Sequence, residues 1–398
     1  MKKILIVSPC GKRRDTIGLV GFLLADLKDL DRQKYHISLL DTNSVEKHNP
    51  KDYDVEEYHG LDKYWYSGLV RLIPRIRAYH YIYCAVSTYR RLINEKEYDI
   101  VLVYQVPVYA DQIVSIAHRR GVKVAFEPFG SDILRVNEAR KKRLKQAFRD
   151  VDVVIGRPKT GTMIAAQEMY NVPDEKIREQ KLVVKGVKTI CEVKGKKSRK
   201  EMMADMDIPY SDYNIVCGYS GRMSHRHKDI IDSLIKVKDV LPKGYQIVFP
   251  MTYGAGTHHE IVLEYAAELK SICESAGLKA TFLTKFLSEE HLAYLHLVTD
   301  LFIEIQPTDN GNAFMIEALY AENQIVTGRW LNYQQFEQFG TPYYLIDRPE
   351  DLPQMLRRIF AHEIKKAIVP SALLDYLKIS EDYNPGTYWA RLFDELGD

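Results

Sequence analysis

The chain has 398 residues, of which 46% are hydrophobic and 28% are charged, and this composition excludes disordered and fibrous proteins. At about 150 residues per domain, the length predicts two large domains. Lysine and arginine total 56 against 54 acidic residues, a net charge of +2. That near balance argues against a dedicated nucleic-acid-binding protein.

The N-terminal apolar run, Ile4–Val7, is shorter than the hydrophobic region of a secretory signal and predicts a first strand instead. No segment approaches the roughly 20 apolar residues of a membrane span. The five cysteines lie far apart and form no Cys-x-x-Cys pair, which favours a reducing compartment. We expect a cytoplasmic protein that can also attach peripherally to the inner face of the cell membrane.

Short apolar runs alternate with helix-length segments along the whole chain. Because most of these runs are continuous in apolar residues, they predict parallel strands covered by helices on both faces. The predicted strands are Ile4–Ser8, His36–Leu40, Ile100–Tyr104, Lys123–Phe126, Val151–Ile155, Leu182–Lys185, Asn214–Tyr219, Gln246–Pro250, Ala280–Leu283, Leu301–Ile305, Gln324–Thr327 and Tyr343–Ile346. The predicted helices are Thr16–Leu30, Ala110–Arg119, Glu138–Phe148, Lys228–Val240, Glu260–Ala276, Ser288–Leu297 and Met315–Ala321.

A polar, basic segment at residues 192–201 lacks periodicity and predicts a linker. The strand series restarts after it, so the sequence predicts an α/β protein of two Rossmann-like, doubly wound domains, residues 1–191 and 202–375. Ligands of such sheets bind at the carboxyl ends of the strands. We therefore expect an active site in a central cleft between the two domains.

The strongest candidate segment follows the predicted strand that ends at Ile305. Asp309, Asn310, Gly311 and Asn312 form a turn at the start of a helix, where backbone N–H groups and the helix dipole favour a diphosphate. Glu317, farther along the helix, suits the paired hydroxyls of a ribose. The alternative is an ordinary helix N-cap.

A second candidate follows the first strand of the second domain. Gly221 allows a tight turn, and Arg222 and Lys228 supply cations that suit a leaving diphosphate. His225 lies in the same loop and is a further candidate for donor binding. We expect the His225 and His227 side chains to point to opposite sides of the loop, and we therefore expect no metal site there. The alternative is a solvated basic loop.

Two weaker candidates follow other strands. Tyr253 belongs to a glycine-rich loop that can line a nucleotide pocket, although such loops are common in proteins. Asp132, in the segment at residues 127–132, can act as a general base or orient an acceptor hydroxyl. Its alternative role is a cap on the next helix.

One segment predicts a surface. Between Lys63 and Asn94 there are six basic residues and no acidic residue, together with one tryptophan and six tyrosines, a combination that suits an anionic membrane surface. Pro74 can begin a helix in which Ile76, Tyr79, Tyr83 and Val86 share a face. The alternative is an amphipathic helix that covers the sheet. The residues we expect to contact the membrane are Trp65, Arg71, Arg75 and Arg77.

Taken together, these segments resemble the GT-B glycosyltransferases, and in particular the retaining members that carry an E-x7-E element. Gly221-Arg222 and Lys228 match the family's glycine–arginine and lysine loop, and Asp309 with Glu317 matches the paired carboxylates, with Asp in place of the first Glu. The resemblance implies that Arg222 and Lys228 bind the donor diphosphate, that Asp309 contacts the sugar and that Glu317 holds the ribose.

The order of the loops also resembles that of the fucosamine transferase of enterobacterial common antigen, which acts on a lipid-linked acceptor. GT-B chains often end in a helix that returns to the first domain, which for this chain implies residues 376–398.

The resemblance implies a nucleotide-sugar-dependent hexosyltransferase with a UDP, GDP or TDP donor and a lipid-linked or surface-glycan acceptor. We expect neither metal nor cofactor, because cations and a helix dipole neutralise the diphosphate. Two alternatives stay open, namely a nucleotide-sugar epimerase of the same fold and a non-catalytic binding protein in glycan assembly.

Overall fold

The computed structural model describes residues 1–9, 20–42, 55–60, 74–157, 159–180, 184–252, 259–309, 311–378 and 384–397. The chain forms two compact units. The first contains Met1–Pro158, Thr162–Lys181 and Asn384–Asp398, and the second contains Lys159–Gly161 and Leu182–Tyr383. The division near residue 181 falls ten residues before the boundary that we place at 191 from the sequence.

The first unit is built on a parallel sheet with the strand order β3-β2-β1-β4-β5-β6-β7 in its described part. Its helices include a long α2 that begins at Pro74, as the sequence predicts. The strands are β1 (Lys2–Ser8), β2 (Tyr35–Asp41), β3 (Glu56–His59), β4 (Ile100–Tyr104), β5 (Lys123–Glu127), β6 (Val153–Gly156) and β7 (Ile177–Glu179). The helices are α1 (Val20–Asp26), α2 (Pro74–Glu95), α3 (Ala110–His118), α4 (Ser131–Leu134), α5 (Glu138–Asp150) and α6 (Gly161–Tyr170).

The second unit repeats this plan, and its described strands form a parallel sheet in the order β10-β9-β8-β11-β12-β13. The strands are β8 (Tyr213–Cys217), β9 (Tyr245–Pro250), β10 (Ala280–Leu283), β11 (Leu301–Glu304), β12 (Gln324–Gly328) and β13 (Tyr344–Ile346). The helices are α7 (Lys185–Val193), α8 (Arg199–Asp205), α9 (His227–Lys236), α10 (His259–Ser275), α11 (Glu289–Val298), α12 (Ala313–Tyr320), α13 (Gln334–Glu337), α14 (Leu352–Phe360) and α15 (Ser371–Lys378).

The two sheets confirm the predicted fold class. The central strands are buried along their length: every residue of β4 and of β11 is inaccessible or nearly so. Helices cover both faces of each sheet, and this burial requires the continuous apolar runs from which the strands were predicted. Each unit therefore has its own hydrophobic core.

The segment predicted as a linker is instead part of a helical pair. Residues 194–198 form the turn between α7 and α8, and Ser198 caps α8 in a reciprocal capping box with Glu201. The Ser-x-x-Glu spacing of that box was present in the sequence. Of the predicted strand Leu182–Lys185, residues 182 and 183 lie outside the described residues, and Lys185 begins α7.

The last helix, α16 (Pro385–Gly397), is part of the first unit. Trp389 is fully buried. Asp394 accepts a hydrogen bond of 2.8 Å from the Tyr35 hydroxyl and faces Lys2 Nζ at 3.3 Å. None of the helices in the described ranges combines the length and the apolar character that a bilayer crossing requires.

Candidate functional site

The two strongest candidate segments begin side by side in the second unit. One follows β8 and the other follows β11, and these strands are neighbours with Cys217 paired to Ile303. The strand order reverses its direction between β8 and β11, so their carboxyl ends form the topological switch point of the sheet. Ligands of doubly wound sheets bind at such a point.

The carboxylate of Asp309 is the centre of this edge. It accepts hydrogen bonds from the turn that follows it, from the loop after β8 and from the segment before α13. The donors are Gln306 Nε2 (3.0 Å), Gly311 N (3.0 Å), Asn312 N (3.2 Å), Asn312 Nδ2 (2.9 Å), Tyr333 Oη (2.8 Å) and Tyr219 Oη (3.4 Å). A carboxylate that accepts this many hydrogen bonds holds the donor groups in fixed positions relative to one another.

The turn at residues 309–312 leads into α12 through a defined N-terminus. Asn312 is the N-cap, and its side chain accepts a 2.8 Å hydrogen bond from Met315 N. Gly311 has φ +68°, and a Cβ there would overlap the Gln335 amide. A side chain at position 311 would therefore strain the backbone, and it would also require the Gln335 amide to move.

Glu317 is buried, with 4% of its surface exposed. Its Oε2 lies 2.9 Å from His296 Nε2 on α11. Its Oε1 faces the backbone of α7 at Gly186, where any Cβ would overlap the carboxylate. Both carboxylate oxygens are thus directed at protein atoms, and Glu317 holds α12 against α7 and α11.

The loop after β8 starts at Gly218, whose φ is +64°. The Tyr219 ring stacks on Phe314 of α12 with centroids 5.7 Å apart, so it connects the two candidate segments. Gly221 is buried, whereas Arg222 and Lys228 are exposed. The Lys228 ammonium pairs with Glu268 on α10, so a diphosphate at this loop would have to compete with that carboxylate for Lys228.

His225 belongs to this loop, and its side chain is buried. The two histidines do not point to opposite sides: the rings of His225 and His227 stack, with centroids 5.9 Å apart. Side chains two residues apart share a face even in an extended segment, and here Met223–His225 is a single 3₁₀ turn followed by α9, which begins at His227. Burial, and to a lesser degree the charge of His225, lowers the pKa of His227 to about 3.

Glu304, the last residue of β11, is fully buried near His225. His225 Nδ1 lies 3.8 Å from Glu304 Oε2, too far for a hydrogen bond. Among the residues that the structure describes, neither oxygen of Glu304 has a hydrogen-bond partner. Burial therefore raises the pKa of this carboxyl, and the nearby His225 opposes the increase.

In the first unit, Asp132 shapes the turn after β5. Its carboxylate accepts hydrogen bonds from the backbone N–H groups of Val106 (2.9 Å), Phe129 (3.0 Å) and Gly130 (2.8 Å). Burial raises the pKa of Asp132, and these hydrogen bonds lower it in part. The carboxylate thus holds the turn after β5 and the start of the segment after β4; it does not cap α4, whose N-cap is Gly130 and has no side-chain cap hydrogen bond.

Glu127, at the end of β5, is the more strongly perturbed carboxyl at this edge. Burial raises its pKa to about 8, Arg157 lowers it in part, and Asp26 raises it further. Its Oε2 has no hydrogen-bond partner in the described part of the chain.

Several predicted residues lie outside what the structure describes. These are Tyr253, Asn310, Trp65 and Arg71. Arg75 and Arg77 belong to α2.

Sequence reasoning missed four residues that shape the site. Glu304 and Gln306 had a signal, because each is a polar residue in or next to the apolar run of β11. Tyr219 ends a predicted strand, and the sequence alone does not indicate its contact with Asp309. Tyr333 had no sequence signal, because only the folded chain brings it to Asp309.

No family profile matches this chain, and no curated protein matches it in sequence. Solved structures match it in fold over nearly its whole length. A glycosyltransferase from Rickettsia africae ESF-5 is 12% identical, with 99% of this chain and 98% of that chain covered and a TM-score of 0.67. Sucrose-phosphate synthase from Thermosynechococcus elongatus is 10% identical, with 100% and 99% covered and a TM-score of 0.68. Anabaena HepE, in complex with UDP, is 14% identical, with 99% and 100% covered and a TM-score of 0.64.

These similarities show that the chain has the GT-B fold of glycosyltransferases, as the sequence resemblance predicts. No comparison bears on the likeness to the fucosamine transferase, which stays a prediction.

We predict that Asp309→Asn lowers the free energy of unfolding by about 1–3 kcal/mol, because an amide NH₂ cannot accept the hydrogen bonds that the carboxylate accepts. Urea denaturation of the purified variants measures this. Asp375→Asn, at an exposed position of α15, is the matched control and should leave the stability unchanged. Equal effects of the two substitutions would contradict the central role of Asp309.

We predict that Glu127 makes the protein less stable as the pH rises. Its folded pKa of about 8 lies above the unfolded value of 4.5, so the folded state binds more protons between these values and loses stability across that window. The stability of Glu127→Gln relative to wild type should rise by as much as about 4 kcal/mol between pH 5 and pH 8. Urea midpoints at several pH values measure the difference, and parallel pH profiles would refute the prediction.

Proposed function

We propose that this protein is a glycosyltransferase that transfers a hexose from a nucleotide-sugar donor. The observation that carries the proposal is the pairing of two loops at the switch point of the second sheet, joined by the Asp309 carboxylate and opening onto the N-terminus of α12. The GT-B fold supports it, as does HepE, which was solved with UDP and with UDP and glucose.

The donor diphosphate is assigned to the exposed cations of the loop after β8. Arg222 can clamp phosphate oxygens in a bidentate manner, and Lys228 adds a point charge after it leaves Glu268. The N-terminus of α12 adds backbone N–H groups and a partial positive charge. Together they stabilise the charge that grows on the diphosphate as the sugar–oxygen bond breaks.

The two carboxylates have different roles in this proposal. Asp309 shapes the sugar end of the site, because it positions Gly311, Asn312 and Tyr219. Glu317 fixes α12 through His296. Glu317 is 4% exposed, so a direct contact with the ribose requires its carboxylate to become accessible.

The acceptor is proposed to be a lipid-linked or surface glycan at the cytoplasmic face of the membrane. The acceptor hydroxyl displaces the nucleoside diphosphate, and the hydroxyl proton passes to a base. We assign the acceptor to the first unit by analogy with the GT-B resemblance, and Asp132 contributes there by holding the turn after β5.

We predict that UDP, GDP or TDP raises the thermal stability of the protein, because a ligand at 100 times its dissociation constant adds about 2.7 kcal/mol to the folded state. Arg222→Ala should abolish most of the shift and lower kcat/KM about 100-fold, equivalent to about 3 kcal/mol. Lys236→Ala removes an exposed cation from the far end of α9 and should change neither quantity.

Incubation with donor alone separates the enzyme classes, since an epimerase would convert the donor without an acceptor. A protein that binds none of the nucleotides would refute the proposed function. An unchanged kcat/KM for Arg222→Ala would remove Arg222 from the mechanism.

Peripheral membrane contact is proposed for the exposed face of α2. Ile76, Tyr79 and Tyr83 are 48%, 76% and 70% exposed, whereas Val86 of the same predicted face is buried. Arg90 and Arg91 are exposed on the same helix. Exposed tyrosines beside cations suit the headgroup region of an anionic bilayer.

We predict that the protein binds vesicles containing anionic lipids at low salt and is released as the salt concentration rises. The double substitution Tyr79→Ser and Tyr83→Ser should weaken binding, as should removal of the charges at Arg71, Arg75 and Arg77. Tyr210→Ser is the matched control because Tyr210 is an exposed tyrosine elsewhere. Co-sedimentation measures binding, and no retention at low salt would refute the contact.

A further inference from the structure

Three ligand-type side chains converge at the edge of the first sheet. Asp41 ends β2 and pairs in register with His59, which ends β3. Glu57 lies two residues before His59 on the same strand, and side chains two residues apart point to the same face of a sheet. Asp41, Glu57 and His59 therefore lie on one face at the carboxyl ends of two neighbouring strands.

The geometry of the three groups suits a single cation. One ligand atom from each residue lies within 4.8 Å of the other two, and His59 Nε2 is 3.8 Å from Glu57 Oε1. Three ligand atoms of a tetrahedral site with bonds of about 2.0–2.2 Å lie about 3.3–3.6 Å apart. Small side-chain rotations bring the three groups to that spacing.

His59 gives an independent reason to expect a ligand here. Its side chain is 5% exposed, yet neither ring nitrogen has a hydrogen-bond partner among the residues that the structure describes. A buried polar group that lacks a partner destabilises a protein by about 1–3 kcal/mol. A metal ion bonded to one ring nitrogen would remove much of that penalty.

The charges also favour a divalent cation. Asp41 is fully buried and the Glu57 side chain is 3% exposed, so two carboxylates share a low-dielectric region. Each carboxylate offers about four acceptor positions, so binding to a metal is compatible with further hydrogen bonds. One imidazole nitrogen and two carboxylate oxygens form a ligand set that suits Zn²⁺.

We propose that Asp41, Glu57 and His59 bind a divalent transition-metal ion of the Zn²⁺ class, with a remaining position open to water. The ion would tie β3 to β2. Because β3 is a four-residue strand at the edge of the described sheet, it gains most from an additional link. These three residues belong to the first unit, whereas the proposed donor residues belong to the second.

Binding of Zn²⁺ and Co²⁺ to the full-length chain tests this proposal without any sugar substrate. After removal of metals with a chelator, equilibrium dialysis with elemental analysis should show one more tightly bound Zn²⁺ per chain in the wild type than in His59→Gln. Co²⁺ should give the visible absorption of a tetrahedral site in the wild type. Glu57→Gln, which preserves side-chain size, should weaken binding at least tenfold.

His36→Gln is the matched control. His36 lies on β2 with a side chain that is 42% exposed and a ring nitrogen 3.5 Å from Glu56, and it should bind Zn²⁺ as the wild type does. The chain has 12 histidines, so the difference between variants measures the site and not adventitious binding. Equal Zn²⁺ binding by the wild type and His59→Gln, with both folded by circular dichroism, would overturn the proposal. Loss of nucleotide binding would leave this result unaffected.

Discussion

The hydrogen bonds accepted by the Asp309 carboxylate are the interaction on which the proposed donor site depends. They connect the turn before α12 with Tyr219 in the loop after β8 and with Tyr333 before α13. Parallel strands deliver their loops to one edge of the sheet, but they do not fix the loops relative to each other. A carboxylate with acceptor positions in several directions does so, and it holds the loops of the proposed donor site in fixed positions.

The carboxyl-terminal edges of the two sheets hold several of the polar groups that are buried in the described part of the chain. Glu127 ends β5, Glu304 ends β11, and Asp41 and His59 end β2 and β3. Asp41, Glu127 and Glu304 each end an apolar strand, so the burial of that strand places the polar residue in the low-dielectric interior. Burial raises the pKa of Glu127 and of Glu304. Burial of an ionisable group at these positions lowers the stability of the fold. Functional groups are often found at such positions.

The sequence predicted the fold class because buried parallel strands need continuous apolar runs, and these runs are visible without a structure. It missed β3 and β7, which are short edge strands with few apolar residues. It also predicted a linker where α7 and α8 meet, although the Ser-x-x-Glu spacing of the Ser198–Glu201 capping box is present in the sequence. The basic composition of this segment favours a linker, whereas the local capping pattern and the hydrophobic face of α7 indicate helices.

The sequence by itself determined which segments end strands, and therefore that Arg222, Asp309 and Asn312 lie at the edge of one sheet. The tertiary structure decided which way each side chain faces. It buried His225 and Glu317, paired Lys228 with Glu268, and brought Tyr333 to Asp309. The periodicity of apolar residues along a chain indicates which residues are buried and where strands end. Hydrogen bonds between distant segments depend on how separate elements pack, and no local sequence pattern indicates that packing.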